Sequence, residues 1–177
     1  GRDALALAKR GKEVVAVEPA RRLRQLGASY TEGQSVQWME DRLPALEKVR
    51  ALSERFDLIL VSAVWMHVPP AERERAMRVL GDLLAPGGRI CITLRYGPGD
   101  GEREFHPVSR GEIEQLARQR ALVDITRTDA RGARADCQGR GEVTWETVCL
   151  QLPDDGTGAL PVLRHIIVND QKSSTYK

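Results

Sequence analysis

Residues 57–61 read Asp57-Leu58-Ile59-Leu60-Val61, and this short apolar run predicts a buried strand. A helical pattern with one apolar face follows over residues 71–84. Ala85-Pro86-Gly87-Gly88 then forms a turn that ends this helix. Apolar residues alternate along residues 89–95, which predicts a second strand. A strand, a helix and a strand in this order predict two parallel strands joined by a crossover helix.

The same alternation of helices and strands covers most of the chain. Before the first run, helices and strands are predicted in turn over residues 2–10, 14–17, 19–26, 36–39 and 44–55. After the second strand, Ser109 and Glu112 form a capping box that starts a helix reaching residue 120. Strands over residues 122–126 and 143–152 then predict an antiparallel hairpin at the sheet edge. The fold class is therefore α/β, with a mainly parallel sheet.

Composition describes an ordinary globular domain. The chain has 177 residues, of which 41% are hydrophobic and 29% charged, and its net charge of +2 is too small to indicate a polyanionic partner. No apolar run approaches the roughly twenty residues of a membrane span. With no secretory signal pattern at its start, the chain is expected to be cytoplasmic and to have no membrane partner. Cys91, Cys137 and Cys149 lack metal-ligand spacing, so neither a disulfide nor a metal site is expected.

Both ends of the sequence predict further elements beyond them. Residue 1 is followed at once by a helical pattern with no strand before it. We therefore expect one domain over residues 1–153 that lacks its first strand. Residues 154–177 are expected to form a linker and a helix leading to a further region. The apolar face of that helix, separate from the domain core, is predicted to comprise Leu160, Leu163, Ile166 and Ile167.

Five segments together resemble the successive motifs of one enzyme family. They are residues 1–11, Val14 to Glu18, Phe56 to Leu60, Met66-His67-Val68-Pro69 and Leu84-Ala85-Pro86-Gly87-Gly88. Their order and spacing resemble class I S-adenosylmethionine-dependent methyltransferases from residue 1 to about residue 152. The resemblance implies a Rossmann-like sheet, S-adenosyl-L-methionine as the cofactor, and a vacant central strand position between the strands at residues 14 and 57.

The resemblance places acidic cofactor ligands at two strand ends, where such sheets bind nucleotides. Glu18 closes the strand at residues 14–17, where a family carboxylate accepts both ribose hydroxyls of the cofactor. A helix-capping acid before Pro19 is the alternative. Asp41 follows the next strand, where the family places an acid that accepts from the adenine amino group, with Arg42 beside it. Glu40 could serve instead of Asp41.

Small residues are expected around the methionine end of the cofactor. Gly1 resembles the last glycine of the family's glycine-rich turn, although it could equally be a terminal residue without a role. Ser62 and Ala63 follow the strand at residues 57–61, where backbone carbonyls could stabilise the positive sulfur. Simple packing is the alternative for both. Gly1, Ser62 and Ala63 therefore join Glu18 as predicted cofactor contacts.

His67 is the candidate catalytic base. It follows the strand beside the methyl group, and imidazole can accept a proton from a hydroxyl or amine acceptor near neutral pH. A purely structural histidine at the start of the next helix is the alternative. Arg95, Arg103 and His106 lie in or beside the loop that could close over a substrate. These arginines could hold a carboxylate or phosphate by bidentate contacts, or could simply be solvated.

The acceptor is predicted to be a small molecule, with a nucleic acid or a protein left open. Ser62-Ala63-Val64-Trp65 stands where methyltransferases of nucleic-acid bases and of glutamine carry an Asn-Pro-Pro-Tyr or Asp-Pro-Pro-Tyr sequence. An arginine-rich stretch at residues 127–140 lacks the aromatic residues that favour nucleic-acid binding. A nicotinamide-dependent oxidoreductase is one alternative, because both folds share an acidic strand end. A non-catalytic methyltransferase-like scaffold or fragment is the other.

Overall fold

The computed structural model of the chain describes residues 1–136, 139–154, 156 and 164–168. Its helices are α1 (Arg2–Ala8), α2 (Arg21–Tyr30), α3 (Glu47–Ala51), α4 (Pro70–Asp82) and α5 (Arg110–Arg118). Its strands are β1 (Glu13–Val17), β2 (Val36–Met39), β3 (Phe56–Val61), β4 (Leu84–Tyr96), β5 (Val123–Asp124), β6 (Arg134–Ala135), β7 (Thr144–Gln151) and β8 (Arg164–Val168). Short 3₁₀ turns lie at Trp65–His67 and Thr128–Ala130.

The strands of the described residues form one sheet in the order β2-β1-β8-β3-β4-β7-β5, with β6 paired to β7. The five strands from β2 to β4 are parallel to one another. The predicted α/β fold with a mainly parallel sheet is confirmed. The chain runs outward from β1 to β2 on one side of β8 and from β3 to β4 on the other. The strand order therefore changes direction at the centre of the sheet, the point where open α/β sheets form a ligand crevice.

The central position between β1 and β3 is filled by β8, so the predicted vacancy is wrong. Val15 and Ile59, on either side, both have Ile166 as their register partner. Two buried strands with no neighbour between them would leave backbone donors and acceptors without partners, and β8 supplies those partners. Residues 164–168 thus contribute to the same sheet as the other strands.

The predicted C-terminal helix is wrong at Ile166 and Ile167, which lie in β8. Leu160 and Leu163 lie outside the described residues. The spacing of the four apolar residues fits one helix face, but residues 166–168 are three consecutive β-branched side chains, which favour an extended backbone. Ile167 is 1% exposed, so the strand is part of the core rather than a separate element.

The antiparallel pair at the other side of the sheet is confirmed. β7 runs antiparallel to both β4 and β5, and lies between them. The expectation of no disulfide is wrong, because Cys91 and Cys149 are register partners on β4 and β7 and are joined as a disulfide. Their Cα atoms lie 4.3 Å apart, which matches the closely spaced pairs of an antiparallel ladder. The two cysteines are 58 residues apart in the sequence, so the sequence alone did not indicate that they are neighbours in the sheet.

Gly87 and Gly88, predicted to lie in a turn before the strand, lie within β4, where its pairing with β3 is irregular. Gly87 has a φ of 75°, in the left-handed region that glycine adopts without strain. A Cβ on Gly88 would lie 2.8 Å from the carbonyl oxygen of Phe56. Any larger residue at position 88 would therefore push β3 and β4 apart.

Helices cover both faces of the sheet. One face packs against α3, α4 and α5 through the larger core cluster, and the other packs against α1 around a smaller cluster of Ala4, Val14, Ala16 and Ile167. No helix in the described residues is both long and apolar enough to cross a membrane. This layered arrangement leaves the carboxyl ends of the parallel strands open along one edge.

Candidate active site

A cleft of about 980 Å³ opens at the carboxyl ends of the central strands. Five of the predicted site residues line it, namely Gly1, Glu18, Ser62, Ala63 and His67. Residues outside that predicted set line it as well, among them Trp38, Met66, Thr93, Arg95, Phe105, Asp136, Arg140 and Trp145. The cleft lies at the point where the strand order reverses, as expected for a ligand site in such a sheet.

Glu18 is a nearly buried carboxylate at the end of β1. It is 3% exposed, and its backbone N–H donates to the carbonyl oxygen of Met39 at 3.0 Å. Its Oε1 atom accepts a hydrogen bond from the backbone N–H of Ala20 at 2.9 Å, just before α2. The carboxylate therefore lines the cleft and supports the start of the helix at the same time. The helix-capping role that the sequence left open for Glu18 is therefore present, and its contact with the ribose stays a prediction.

Gly1 lies at the start of α1, where this helix meets α2. A Cβ on Gly1 would lie 3.2 Å from the ring of Tyr30, and a Cβ on Gly27 would lie 2.3 Å from the ring of Trp38. Both positions need small residues because aromatic rings pack against the backbone there. The close packing brings α2 over one end of the cleft.

Ala63 has an unusual backbone conformation directly after β3. Its φ is 57°, in a region that residues other than glycine rarely adopt. Its N–H donates to Oγ1 of Thr93 on β4 at 2.7 Å, which holds the conformation in place. Strained residues of this kind occur most often at functional sites. Ser62, beside it, is half-buried at the same edge of the cleft.

His67 is held by the loop that follows β4. Its Nδ1 atom lies 2.8 Å from the carbonyl oxygen of Glu104, and its ring packs edge-on against Phe105 with ring centres 4.7 Å apart. The backbone N–H of His106 donates to the carbonyl oxygen of Met66 at 2.8 Å. These contacts attach the loop to the 3₁₀ turn at Trp65–His67 and fix the imidazole at the cleft wall.

Three arginines surround the far end of the cleft. The guanidinium carbon of Arg95 lies 4.6 Å from the ring centre of Phe105, and that of Arg103 lies 5.2 Å from the same centre. Arg140 forms an ion pair with Asp136 at 2.9 Å. Burial lowers the pKa of Arg95, and the nearby charge of Arg140 lowers it further. This end of the cleft is therefore rich in positive charge and aromatic surface.

Asp41 and Arg42 do not lie in the main cleft. They line a smaller hollow of about 340 Å³, next to Pro19 and Lys48. The carboxylate of Asp41 accepts from the backbone N–H groups of Lys48 at 2.7 Å and Val49 at 3.0 Å. Asp41 therefore caps the start of α3. Glu40, the alternative acid, lines the same hollow and pairs with Arg24 at 2.8 Å.

The sequence contains a signal for two cleft residues outside the predicted set. Thr93 and Arg95 alternate with the apolar residues of β4, so a strand prediction places both side chains on one face. By contrast, Asp136 and Trp145 meet through a 2.7 Å hydrogen bond across a loop, which no local pattern indicates. Within the described part of the chain, no group of three or more His, Cys, Asp or Glu side chains could hold a metal ion.

Comparisons with known proteins agree with this geometry. Residues 1–88 match a family model described as a methyltransferase domain. A comparison with curated protein sequences gives no match.

Solved structures share the fold at low sequence identity. A SAM-dependent methyltransferase from Methanosarcina mazei has a TM-score of 0.63 and 17% identity, covering 85% of this chain and 87% of its own. The 1,6-didemethyltoxoflavin-N1-methyltransferase of Burkholderia thailandensis, solved with S-adenosylhomocysteine, has a TM-score of 0.57 and 16% identity over 86% and 78% of the two chains. The N-methyltransferase NodS of Bradyrhizobium japonicum has a TM-score of 0.54 and 16% identity over 86% and 94%. With the family match and the strand-end cleft, the chain belongs to the class I S-adenosylmethionine-dependent methyltransferase family.

Proposed function

We propose that the chain binds S-adenosylmethionine along the carboxyl ends of β1, β8 and β3 and promotes transfer of its methyl group to a small-molecule acceptor. The observation that carries the proposal is Glu18, a carboxylate only 3% exposed that lines a cleft of about 980 Å³. A carboxylate at this strand end can accept from two ribose hydroxyls, because such sheets bind nucleotides outside the carboxyl ends of their strands. The cleft is also at the upper end of the size range of small-molecule sites.

The residues that line the cleft suit the two ends of such a cofactor. Glu18 would accept from the ribose, and Ser62 and Ala63 would present backbone oxygens near the sulfur. Asp41 and Arg42, in the adjoining hollow beside Pro19, would contact the adenine. Gly1 would allow close approach of the backbone near the amino-acid end. When bound, the cofactor supplies an already activated methyl group to an in-line displacement.

The contribution of the chain is then mainly positional, because an activated methyl group needs no catalytic triad. His67 has one further role. Because Nδ1 faces a carbonyl oxygen, which only accepts, the neutral ring carries its proton on Nδ1 and leaves Nε2 as the acceptor. His67 can therefore take a proton from an acceptor hydroxyl or amine in the cleft.

A small-molecule acceptor is favoured over a nucleic acid by the pairing of the arginine-rich stretch. Arg127 pairs with Asp129 at 2.9 Å, Arg131 with Asp124 at 3.6 Å, and Arg140 with Asp136 at 2.9 Å. Arginines neutralised by neighbouring carboxylates contribute little to phosphate binding, which depends on unpaired positive charge. The neighbours whose names state a substrate include enzymes for a toxoflavin precursor and for magnesium protoporphyrin IX.

The nicotinamide-dependent alternative fits the sheet less well. Dinucleotide-binding sheets of the common type have six parallel strands, in the order 3-2-1-4-5-6. Here β7 is antiparallel and lies between β4 and β5. A non-catalytic scaffold would have the same fold as an active enzyme. A measurement of ligand binding is therefore needed to distinguish these two hypotheses.

Calorimetric titration of the chain tests the proposal. S-adenosylhomocysteine is expected to bind and NAD is not. Glu18→Ala should weaken binding of S-adenosylhomocysteine at least tenfold, because each hydrogen bond to a charged group contributes about 1.5–3 kcal/mol. Glu32→Ala is the matched control, since Glu32 is exposed and lines neither the cleft nor the adjoining hollow. Absence of binding to the wild type supports the scaffold alternative, and equal affinities of wild type and Glu18→Ala contradict the assigned role of Glu18.

A further inference from the structure

Arg95 is a buried cation that faces the cleft. Only 8% of its surface is exposed, and it is among the residues that line the cleft. It shares one face of β4 with Thr93, two residues earlier, whereas Ile92 and Leu94 point into the core. A strand rises about 3.3 Å per residue, so Arg95 lies roughly 7 Å beyond Thr93. Since Thr93 binds the backbone of Ala63, Arg95 stands beyond the predicted position of the methyl group.

No carboxylate within the described residues forms an ion pair with Arg95. Its contacts there are the ring of Phe105 and a long 3.5 Å hydrogen bond from Nη1 to the carbonyl oxygen of Gly97. The carboxylates of this region have other partners. Asp100 accepts from Nε of Arg103 at 2.7 Å, and Asp136 accepts from Arg140 at 2.9 Å.

The charges around Arg95 therefore leave one positive charge without an acidic partner. Among the groups that act electrostatically on Arg95, Arg103 and Arg140 with Arg95 itself contribute three positive charges, and Asp100 and Asp136 contribute two negative charges. Burying a charge without a partner is costly, so such a group at a ligand site commonly has a charged ligand as its partner. Burial lowers the pKa of Arg95 and the charge of Arg140 lowers it further, while the carboxylates of Asp100 and Asp136 offset part of this effect.

We propose that Arg95 binds a carboxylate group of the methyl acceptor, with Phe105 and Trp145 against its apolar part. The inference rests on the proposed function, because it assigns the acceptor end of the same cleft. One unpaired guanidinium matches one negative charge, and its planar fork matches a planar carboxylate. A phosphate dianion would need a second cation, and both neighbouring arginines are already paired.

Titration with benzoate and with neutral benzamide, in the presence of saturating S-adenosylhomocysteine, tests the inference. The indole N–H resonance of Trp145 is the readout, because Trp145 lines the cleft and is the register partner of Arg95. Benzoate is expected to bind at least tenfold more tightly than benzamide. Arg95→Met should remove this preference, while its affinity for S-adenosylhomocysteine stays within about twofold of the wild type.

Two further variants complete the experiment. Arg95→Lys keeps a positive charge, so it should retain a weakened preference for benzoate. It also keeps the experiment informative if Arg95→Met fails to fold. Arg89→Met is the matched control, because Arg89 is exposed on the same face of β4 and outside the cleft. It should behave as the wild type.

Three results would overturn the inference. The first is equal binding of benzoate and benzamide to the wild type, and the second is an unchanged preference in Arg95→Met. The third is tighter binding of inorganic phosphate than of benzoate, which would indicate a phosphate-bearing acceptor. If S-adenosylhomocysteine itself fails to bind the wild type, the proposed function fails and this inference fails with it. Binding of S-adenosylhomocysteine without any preference for benzoate removes the inference alone.

Discussion

The Nδ1 atom of His67 lies 2.8 Å from the carbonyl oxygen of Glu104, a residue 37 positions further along the chain. A carbonyl oxygen can only accept, so this contact selects the tautomer with its proton on Nδ1. The loop after β4 thereby sets which nitrogen of His67 is available for proton transfer. Sequence alone named His67 but could not assign this orientation, because the partner is a backbone atom.

The first prediction concerns this tautomer and its role in turnover. Nitrogen-15 spectra of the imidazole should show His67 protonated at Nδ1 when it is neutral. His67→Ala should leave affinity for S-adenosylhomocysteine within about twofold and lower turnover by roughly 10²–10⁴ where the acceptor must lose a proton. His106→Gln is the control, because its side chain is not among those lining the cleft. A neutral His67 protonated at Nε2 would contradict the assignment.

The second prediction concerns β8. Ile167→Ala should lower the free energy of unfolding by about 2–5 kcal/mol, because Ile167 is 1% exposed and its truncation leaves a cavity. Val123→Ala is the control, since Val123 is 52% exposed on a different strand. Deleting all residues after Pro153 should unfold the domain or cost most of its stability, by removal of the strand between β1 and β3. Denaturant unfolding measures both. Unchanged stability after the deletion would restore the expectation of a separate C-terminal segment.

The sequence predicted local features well and long-range pairing poorly. The cap at Ser109 is present, because Oγ of Ser109 accepts from the N–H of Glu112 at 3.1 Å, and both residues lie within one turn. The place of β8 was missed because the apolar spacing at residues 160–167 fits a helix as well as a strand. Its pairing with β1 also joins residues about 150 positions apart. The burial of Arg95 depends on packing against Phe105 in the irregular loop that follows β4, so the sequence could not show whether this arginine is buried or solvated.

The third prediction concerns pH and the hydrogen bond from the hydroxyl of Tyr96 to Oε2 of Glu146 at 2.8 Å. Burial raises the pKa of Tyr96 to about 12, with the hydrogen bond and the charge of Glu146 adding to the effect. The ordinary value is 10.0, so the unfolded chain ionises first as the pH rises. The contribution of Tyr96 to stability is therefore complete below pH 10 and is lost as the pH rises toward 12.

Tyr96→Phe tests this sign directly. The variant should be less stable by about 1 kcal/mol near neutral pH, from loss of one hydrogen bond. Its stability should then fall less steeply than that of the wild type in the alkaline range. Tyr30→Phe is the control, since Tyr30 is exposed. Unfolding by urea at a series of pH values measures the slopes, and parallel slopes for wild type and Tyr96→Phe would refute the prediction.

The last prediction separates two roles of Asp41. Its carboxylate accepts from the backbone N–H groups of Lys48 and Val49 at the start of α3, so Asp41→Ala should cost about 1 kcal/mol of stability as a lost cap. Such a loss would also lower apparent ligand affinity if folding were incomplete. Measuring affinity for S-adenosylhomocysteine alone therefore cannot show whether Asp41 contacts the adenine.

A second ligand removes this ambiguity. S-inosylhomocysteine carries an oxygen in place of the adenine amino group, so it has no hydrogen-bond donor at that position. If Asp41 accepts from the adenine, the wild type should prefer S-adenosylhomocysteine by at least tenfold, and Asp41→Ala should lose most of that preference. The ratio of the two affinities cancels any effect of partial unfolding, because both ligands bind the same folded fraction. Glu40→Ala, measured in parallel, decides between the two neighbouring acids. If Glu40→Ala loses the preference for S-adenosylhomocysteine and Asp41→Ala keeps it, Glu40 contacts the adenine and Asp41 is only a helix cap.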